Sequence, residues 1–258
     1  MSVKNLLQLT DQVALVTGGS RGLGLQISEA LGEMGCKVAI SARRGEELQA
    51  AKEHLEARGG RVLTCVCDLQ KFDRIPYLVD EVVRQLGEID ILVNNAGATW
   101  GAAAEDHPDE AWHKVMNLNV SAPFFLSREV GRRCMIPRRR GKIINIASVA
   151  GLKASADLGM RTIAYNTSKA ALIHFTRALA AEWGRFDINV NAICPGFFPT
   201  KMSAGLLDQI SDTVIAGTPL RRLGGEEDLK GAVVFFASQA SRHVTGQYLA
   251  VDGGSSIV

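Results

Sequence analysis

The sequence predicts a doubly wound α/β fold: one seven-stranded parallel sheet with helices on both faces. Three observations carry that expectation. Short apolar runs alternate with longer helical stretches along the whole chain. Several of the short runs are apolar throughout, the mark of strands covered on both faces. No composition break, repeat or linker divides residues 1–258, so the chain reads as a single domain.

The strands are expected at Val13–Thr17, Lys37–Ser41, Arg61–Cys67, Ile89–Asn94, Gly141–Ser148, Ile188–Cys194 and Tyr248–Val251. The helices between them are expected at Leu23–Met34, Glu46–Arg58 and Ile75–Leu86, which end at Gly35, Gly59 and Gly87, where a glycine after the last turn stops a helix. Further helices are expected at Asp109–Ile136, Thr162–Gly184 and Glu226–Ala237. Strand and helix in strict alternation give a Rossmann-type sheet. The basic run Arg138–Arg140 follows Pro137 and reads as a solvated turn.

Composition narrows the function classes. The 258 residues are 47% hydrophobic and 22% charged, with a formal net charge of +2. That charge gives no reason to expect nucleic acid or an anionic membrane as partner. No apolar run reaches the roughly 18 residues a membrane helix requires. The segment MSVKNLLQLTDQ lacks the apolar stretch of a signal peptide. A cytoplasmic protein is expected. The five cysteines, Cys36, Cys65, Cys67, Cys134 and Cys194, fit no disulfide or zinc spacing and read as reduced packing residues. The histidines show no metal-ligand spacing, so no metal is expected.

The first strand runs into Thr17-Gly18-Gly19-Ser20-Arg21-Gly22-Leu23-Gly24, and a helix follows. Glycines let the backbone approach a pyrophosphate, and the helix start offers free N–H groups and a partial positive charge. The second strand ends in Ser41-Ala42-Arg43-Arg44. An NAD site carries an acid there to bind the ribose 2′-hydroxyl. Here Ala42 replaces the acid, and Arg43 with Arg21 offers charge-assisted hydrogen bonds to a 2′-phosphate. NADP(H) is therefore expected, with Arg44 read as plain surface.

Tyr165 and Lys169 stand four apart in a helical stretch, on one face, downstream of Ser148 at a strand end. Ketone reduction needs a proton on oxygen, and a tyrosine can supply it once its pKa is brought down. An ammonium about 4 Å away favours the phenolate by about 4 kcal/mol at an effective dielectric near 20, which lowers the pKa by about 3.

With these residues in view, the chain resembles the short-chain dehydrogenase/reductase family. The resemblance rests on Thr17-Gly18-x-x-x-Gly22-x-Gly24, Asn94-Asn95-Ala96-Gly97, Asn119, Ser148 with Tyr165-x-x-x-Lys169, and Pro195-Gly196 with Thr200. It implies catalysis by Asn119, Ser148, Tyr165 and Lys169, with Asn119 anchoring a water that passes protons to Lys169. It implies a cofactor held by Gly18, Ser20, Arg21, Gly22, Leu23, Gly24, Arg43, Asp68, Leu69, Asn95, Ala96, Gly97, Tyr165, Lys169, Pro195, Gly196, Phe198 and Thr200. Substrate is expected to meet Trp100, Ser148, Tyr165, Phe197 and Met202. The loop 197–222 and the interval Lys153–Ile163, longer than in most relatives, wall its pocket.

The segment Phe197–Met202 is similar to bacterial 3-oxoacyl thioester reductases and to gluconate-type dehydrogenases. Its apolar residues, with Phe198, Leu206 and Leu207, favour a bulky ketone or acyl substrate. The alternatives are a gluconate-type polyol dehydrogenase, or a non-catalytic NADP(H)-binding redox sensor. The resemblance also implies a homotetramer or dimer.

Overall fold

The computed structural model describes residues 2–154, 160–201 and 203–258. A short helix, α1 (Val3–Leu7), precedes the alternation β1 (Val13–Thr17), α2 (Gly22–Glu33), β2 (Lys37–Ala42), α3 (Gly45–Glu56), β3 (Arg61–Val66), α4 (Ile75–Leu86) and β4 (Ile91–Asn94). The second half continues with α5 (Asp109–Met116), α6 (Ala122–Val130), α7 (Ile136–Arg138), β5 (Gly141–Ile146), α8 (Ile163–Trp183), β6 (Ile188–Pro195), α9 (Ala204–Gly217), α10 (Lys230–Ala237) and β7 (Tyr248–Val251). The seven strands form one parallel sheet in the order β3-β2-β1-β4-β5-β6-β7. The chain reverses its winding between β1 and β4, and the crevice at the carboxyl ends of these strands is where such sheets bind ligands.

The strand sequences explain the two layers. All five residues of β1 are buried. Ala14 and Val16 face the core under α2, α3 and α10, and Val13 and Leu15 face the core under α4, α6 and α8. A strand whose residues alternate between two buried faces must be apolar on both. The five cysteines are free and buried, and Cys65 and Cys67 pack in the same core. Burial pushes the Cys36 and Cys65 thiols up to about 12.

Three expectations need correction. The helix expected at Asp109–Ile136 is interrupted by two π-helical turns, Asn117–Ser121 and Gly131–Met135. The substrate loop 197–222 contains the helix α9. The run Arg138–Arg140 is not a plain solvated turn. Arg138 and Arg140 both bind the buried carboxylate of Asp90, at 3.0 and 2.6 Å, and Asp90 also accepts the Val13 N–H at 3.0 Å. These bonds tie the starts of β1, β4 and β5 together at the end of the sheet away from the crevice.

Candidate active site

The site is built at the crevice, from the turns that follow the strands. Thr17 closes β1, and its hydroxyl accepts the N–H groups of Asn95 and Ala96 at 2.9 and 3.0 Å. Asn95 returns the contact, donating from Nδ2 to the Thr17 carbonyl at 2.8 Å. This mutual clamp fixes the segment after β4 against the glycine turn. Thr17 was not among the expected contacts, although its place at the head of the glycine motif marks it.

The glycine turn is shaped for close approach. Gly18 and Gly22 have φ of +64° and +53°, a region that costs any residue with a Cβ. A Cβ on Gly24 would stand 2.2 Å from the Gly18 carbonyl oxygen, and one on Gly22 would stand 3.3 Å from Thr200 Cγ2. The turn therefore lies against both Asn95 and Thr200, as a cradle between the switch point and the loop after β6. Ser20 is buried in this turn, and Leu23 packs onto the core beneath it. Arg21 caps α2 with its side chain out, and Arg43 is exposed at the end of β2. No acid stands at Ala42, so the cradle fits a phosphorylated dinucleotide better than one with a free 2′-hydroxyl.

Other expected contacts carry structural duties too. Asp68 Oδ1 caps the next turn, accepting the Gln70 N–H at 3.1 Å. The side chains of Leu69 and Phe198 are buried in the two cores. Phe198 also lines a cavity beside Phe197. Phe198 packs over Gly224, where a Cβ would meet its ring at 2.4 Å.

The reactive groups converge beside this cradle. Ser148 follows β5, Tyr165 and Lys169 lie in the first turns of α8, and Gly97 lies beside Lys169 and Asn119. A Cβ on Gly97 would lie 3.3 Å from Asn119 Oδ1 and 3.6 Å from Lys169 Nζ. The Ser148 oxygen accepts the Ala150 N–H at 3.1 Å, which leaves its hydrogen to donate elsewhere. Lys169 donates to the Ile146 carbonyl at 2.8 Å, and its Nζ lies 5.5 Å from the Tyr165 ring centroid.

Asn119 is 1% exposed. Its Oδ1 accepts the Ala98 N–H at 2.8 Å, and its Nδ2 donates to the Ala98 carbonyl at 2.9 Å and the Ser168 hydroxyl at 2.9 Å. Ser168 in turn donates to the Tyr165 carbonyl at 2.7 Å. Ser168, absent from the sequence expectation, thus joins Asn119 to the helix that carries Tyr165. The π turn at Asn117–Ser121 aims Asn119 inward, and such turns recur at functional sites.

The expected lowering of Tyr165 by Lys169 is not what the geometry gives. Desolvation pushes the phenol above its ordinary value, and the neighbouring Ser148 hydroxyl only partly offsets this. Burial also pushes the Lys169 ammonium down to about 8. The structure favours a protonated tyrosine, the form that donates a proton.

The substrate side is less enclosed. Trp100 is 43% exposed, with Lys114 Nζ 5.9 Å from its ring centroid. Phe197 lines a cavity of about 470 Å³ with Thr218, Leu220, Leu223 and Gly253. Ser148, Tyr165 and Lys169 are not among the residues lining that cavity. Leu207 is buried. Met202 lies outside the described residues, as do residues 155–159 of the long interval.

Comparison with known proteins shows the family. Residues 12–211 match the family described as short chain dehydrogenase. The chain is 39% identical over 260 residues to gluconate 5-dehydrogenase of Gluconobacter oxydans, covering 100% of this chain and 99% of the relative. It is 38% identical over 247 residues to a 3-oxoacyl-(acyl-carrier-protein) reductase of Chlamydia trachomatis, covering 95% and 98%. Among solved structures, a gluconate 5-dehydrogenase from Burkholderia cenocepacia in complex with NADP and tartrate superposes with a TM-score of 0.93 at 33% identity, over 100% of both chains. This chain belongs to the short-chain dehydrogenase family and is an oxidoreductase of that family.

Proposed function

We propose that this protein is an NADP(H)-dependent oxidoreductase that interconverts a ketone and a secondary alcohol. The observation that supports the reading is that Ser148 neighbours the Tyr165 phenol, with Lys169 Nζ 5.5 Å from the Tyr165 ring centroid and 3.6 Å from where a Cβ on Gly97 would stand. Gly18, Ser20, Arg21, Gly22, Leu23, Gly24, Arg43, Asp68, Asn95, Ala96 and Gly97 would hold the adenine half. Pro195, Gly196 and Thr200, with the main chain of Leu69 and Phe198, would complete the site. When bound, the cofactor supplies the hydride or accepts it.

The side chains do the rest. The Ser148 hydroxyl, its oxygen already engaged by Ala150, donates to the substrate carbonyl oxygen and stabilises the charge that develops there. The Tyr165 phenol gives its proton to the same oxygen during reduction and takes it back during oxidation. Lys169, cationic below about 8, steadies the phenolate left behind. Asn119, through Ala98 and Ser168, holds the loop after β4 and the start of α8 in register. A redox sensor has no need of these reactive groups together, which favours turnover.

Two substrate classes remain in view. Trp100 and Phe197 suit a bulky ketone or 3-oxoacyl thioester. Phe198 lines the same cavity as Phe197, whereas Leu207 is buried and does not. Relatives named as gluconate dehydrogenases support a polyol or sugar acid as the second reading. Assay of 3-oxoacyl thioesters, bulky ketones and gluconate, each with NADP(H) and NAD(H), tests both. Turnover of none of them with NADP(H) would count against the proposal.

Assembly and location follow the same lines. Phe124, 43% exposed, stands with Phe125 and Phe175 on the face of α6 and α8. That face suits pairing with further copies, as a homotetramer or dimer in the cytoplasm. No described helix is long and apolar enough to cross a membrane.

A further inference from the structure

We infer that Glu47 is the internal counter-ion of the 2′-phosphate subsite, and that Arg44 is a third cation of that subsite. The inference rests on the NADP(H) reading above. It concerns what sets the grip on the phosphate.

Two guanidiniums converge on one carboxylate oxygen. Arg21 Nη1 lies 2.9 Å from Glu47 Oε1, and Arg44 Nη1 lies 3.0 Å from the same atom. The three residues come from two elements. Arg21 caps α2, Arg44 caps α3, and Glu47 lies in the first turn of α3. Both arginines therefore occupy helix N-caps, where the backbone dipole disfavours a cation. Neither side chain caps its helix. An anion between them resolves that conflict, and Glu47 supplies it.

Glu47 is also the less exposed partner, at 27% of its side-chain surface against 50% for Arg21 and 68% for Arg44. Arg43 is the neighbour of Arg44 in the chain. Arg44 and Glu47 form an i,i+3 pair within α3, and Arg21 reaches the same oxygen from α2.

A phosphate monoester carries more charge than a carboxylate and offers three acceptor oxygens. It would draw Arg21 and Arg44 away from Glu47. The carboxylate then stays close to the bound phosphate and repels it. Glu47 acts as a brake: it holds the arginines ready and limits how tightly the phosphorylated cofactor binds. A cofactor without the 2′-phosphate does not meet this opposition.

The test is direct titration of NADPH, NADH and 2′-AMP onto the protein, followed by calorimetry at fixed ionic strength. Glu47→Gln is expected to tighten NADPH and 2′-AMP by about 3–10-fold and to leave NADH within about twofold. Arg44→Ala is expected to weaken NADPH and 2′-AMP by about 3–10-fold with NADH unchanged. Glu47→Asp, which keeps the charge, should bind like the wild type. Unchanged or weaker NADPH binding by Glu47→Gln, or equal shifts for NADPH and NADH, overturns the role of Glu47. An Arg44→Ala variant that binds NADPH like the wild type overturns the role of Arg44. A wild-type preference for NADH over NADPH would instead sink the cofactor reading beneath both.

Discussion

Gly24→Ala puts one methyl group where the fold has no room. The new Cβ would stand 2.2 Å from the Gly18 carbonyl oxygen and 2.5 Å from Asn95 Nδ2. Ordinary carbon–oxygen contact requires roughly 1 Å more. Neither neighbour is a flexible side-chain end. The Gly18 oxygen is backbone, and Asn95 Nδ2 is held by the Thr17 carbonyl at 2.8 Å. The glycine turn must shift as a body. Overpacking costs about 1–3 kcal/mol, and a weakened Asn95 hydrogen bond adds about 1. A total of about 2–4 kcal/mol lowers Tm by roughly 4–16 °C in a domain of this size. The same shift moves the N–H groups that cradle the pyrophosphate, so NADPH should bind at least about tenfold more weakly.

Gly32→Ala, in the same helix, is the control. Its nearest outside atom is the Gly60 Cα at 4.0 Å. That variant should be as stable as the wild type or up to about 1 kcal/mol more so. Thermal melts and NADPH titrations of both variants decide the matter. A Gly24→Ala protein with wild-type melting and wild-type NADPH affinity would refute the close-packing argument.

Two further outcomes follow from buried polar groups. Lys142 is buried in β5, donates to Asn189 Oδ1 at 2.7 Å, and is pushed by burial down to about 8. Below that pH the folded and unfolded states are both protonated and the full cost of burying the charge is present; the cost fades as pH rises from about 8 towards the ordinary lysine value of about 10.4. Lys142→Met should therefore stabilise the protein at pH 7, by about 3 kcal/mol for the charge less about 1 for the lost hydrogen bond. The gain should shrink in melts near about pH 10, and a pH-independent difference would refute the assignment. Asn119→Ala removes three hydrogen bonds and leaves the Ala98 N–H and carbonyl unpaired, at a cost of about 2–4 kcal/mol. Its Tm should fall and its ketone KM should rise more than its Kd for NADPH; wild-type melting would remove Asn119 from the scaffold of the site.

Much of this architecture is legible in the chain because local and global signals agree. β1, α4 and β7 have the bounds expected from sequence, Val13–Thr17, Ile75–Leu86 and Tyr248–Val251. Their apolar patterns are bounded by turn residues. The π turns were hidden because one extra residue in a turn keeps the helix axis and disturbs the apolar period only locally. α9 was hidden by Gly205 and Gly217, which weaken its helical signal, while Leu207 and Val214 anchor it to the core. Asp90 and its two arginines are separated by 48 and 50 residues, so no local pattern pairs them.

At the site, the glycine turn, Ser148, Tyr165 and Lys169 were legible as types and spacings. Their electrostatics were not. The pKa of Tyr165 depends on how deeply the phenol is buried and on how close the Ser148 hydroxyl lies, neither of which a spacing records. Thr17 holds the site together through main-chain partners and Ser168 through Asn119 and the Tyr165 carbonyl, roles any threonine or serine could have had elsewhere.

The measurement that bears most directly on the account is the turnover of Tyr165→Phe beside its affinity for NADPH. The change removes one oxygen and leaves the ring in place. General acid–base catalysis supplies about 10²–10⁴-fold, so kcat for ketone reduction should fall by at least about a hundredfold while the Kd for NADPH stays within about twofold. A Tyr165→Phe protein that reduces its ketone at the wild-type rate would contradict the assignment of Tyr165, and with it the mechanism built on Ser148, Tyr165 and Lys169.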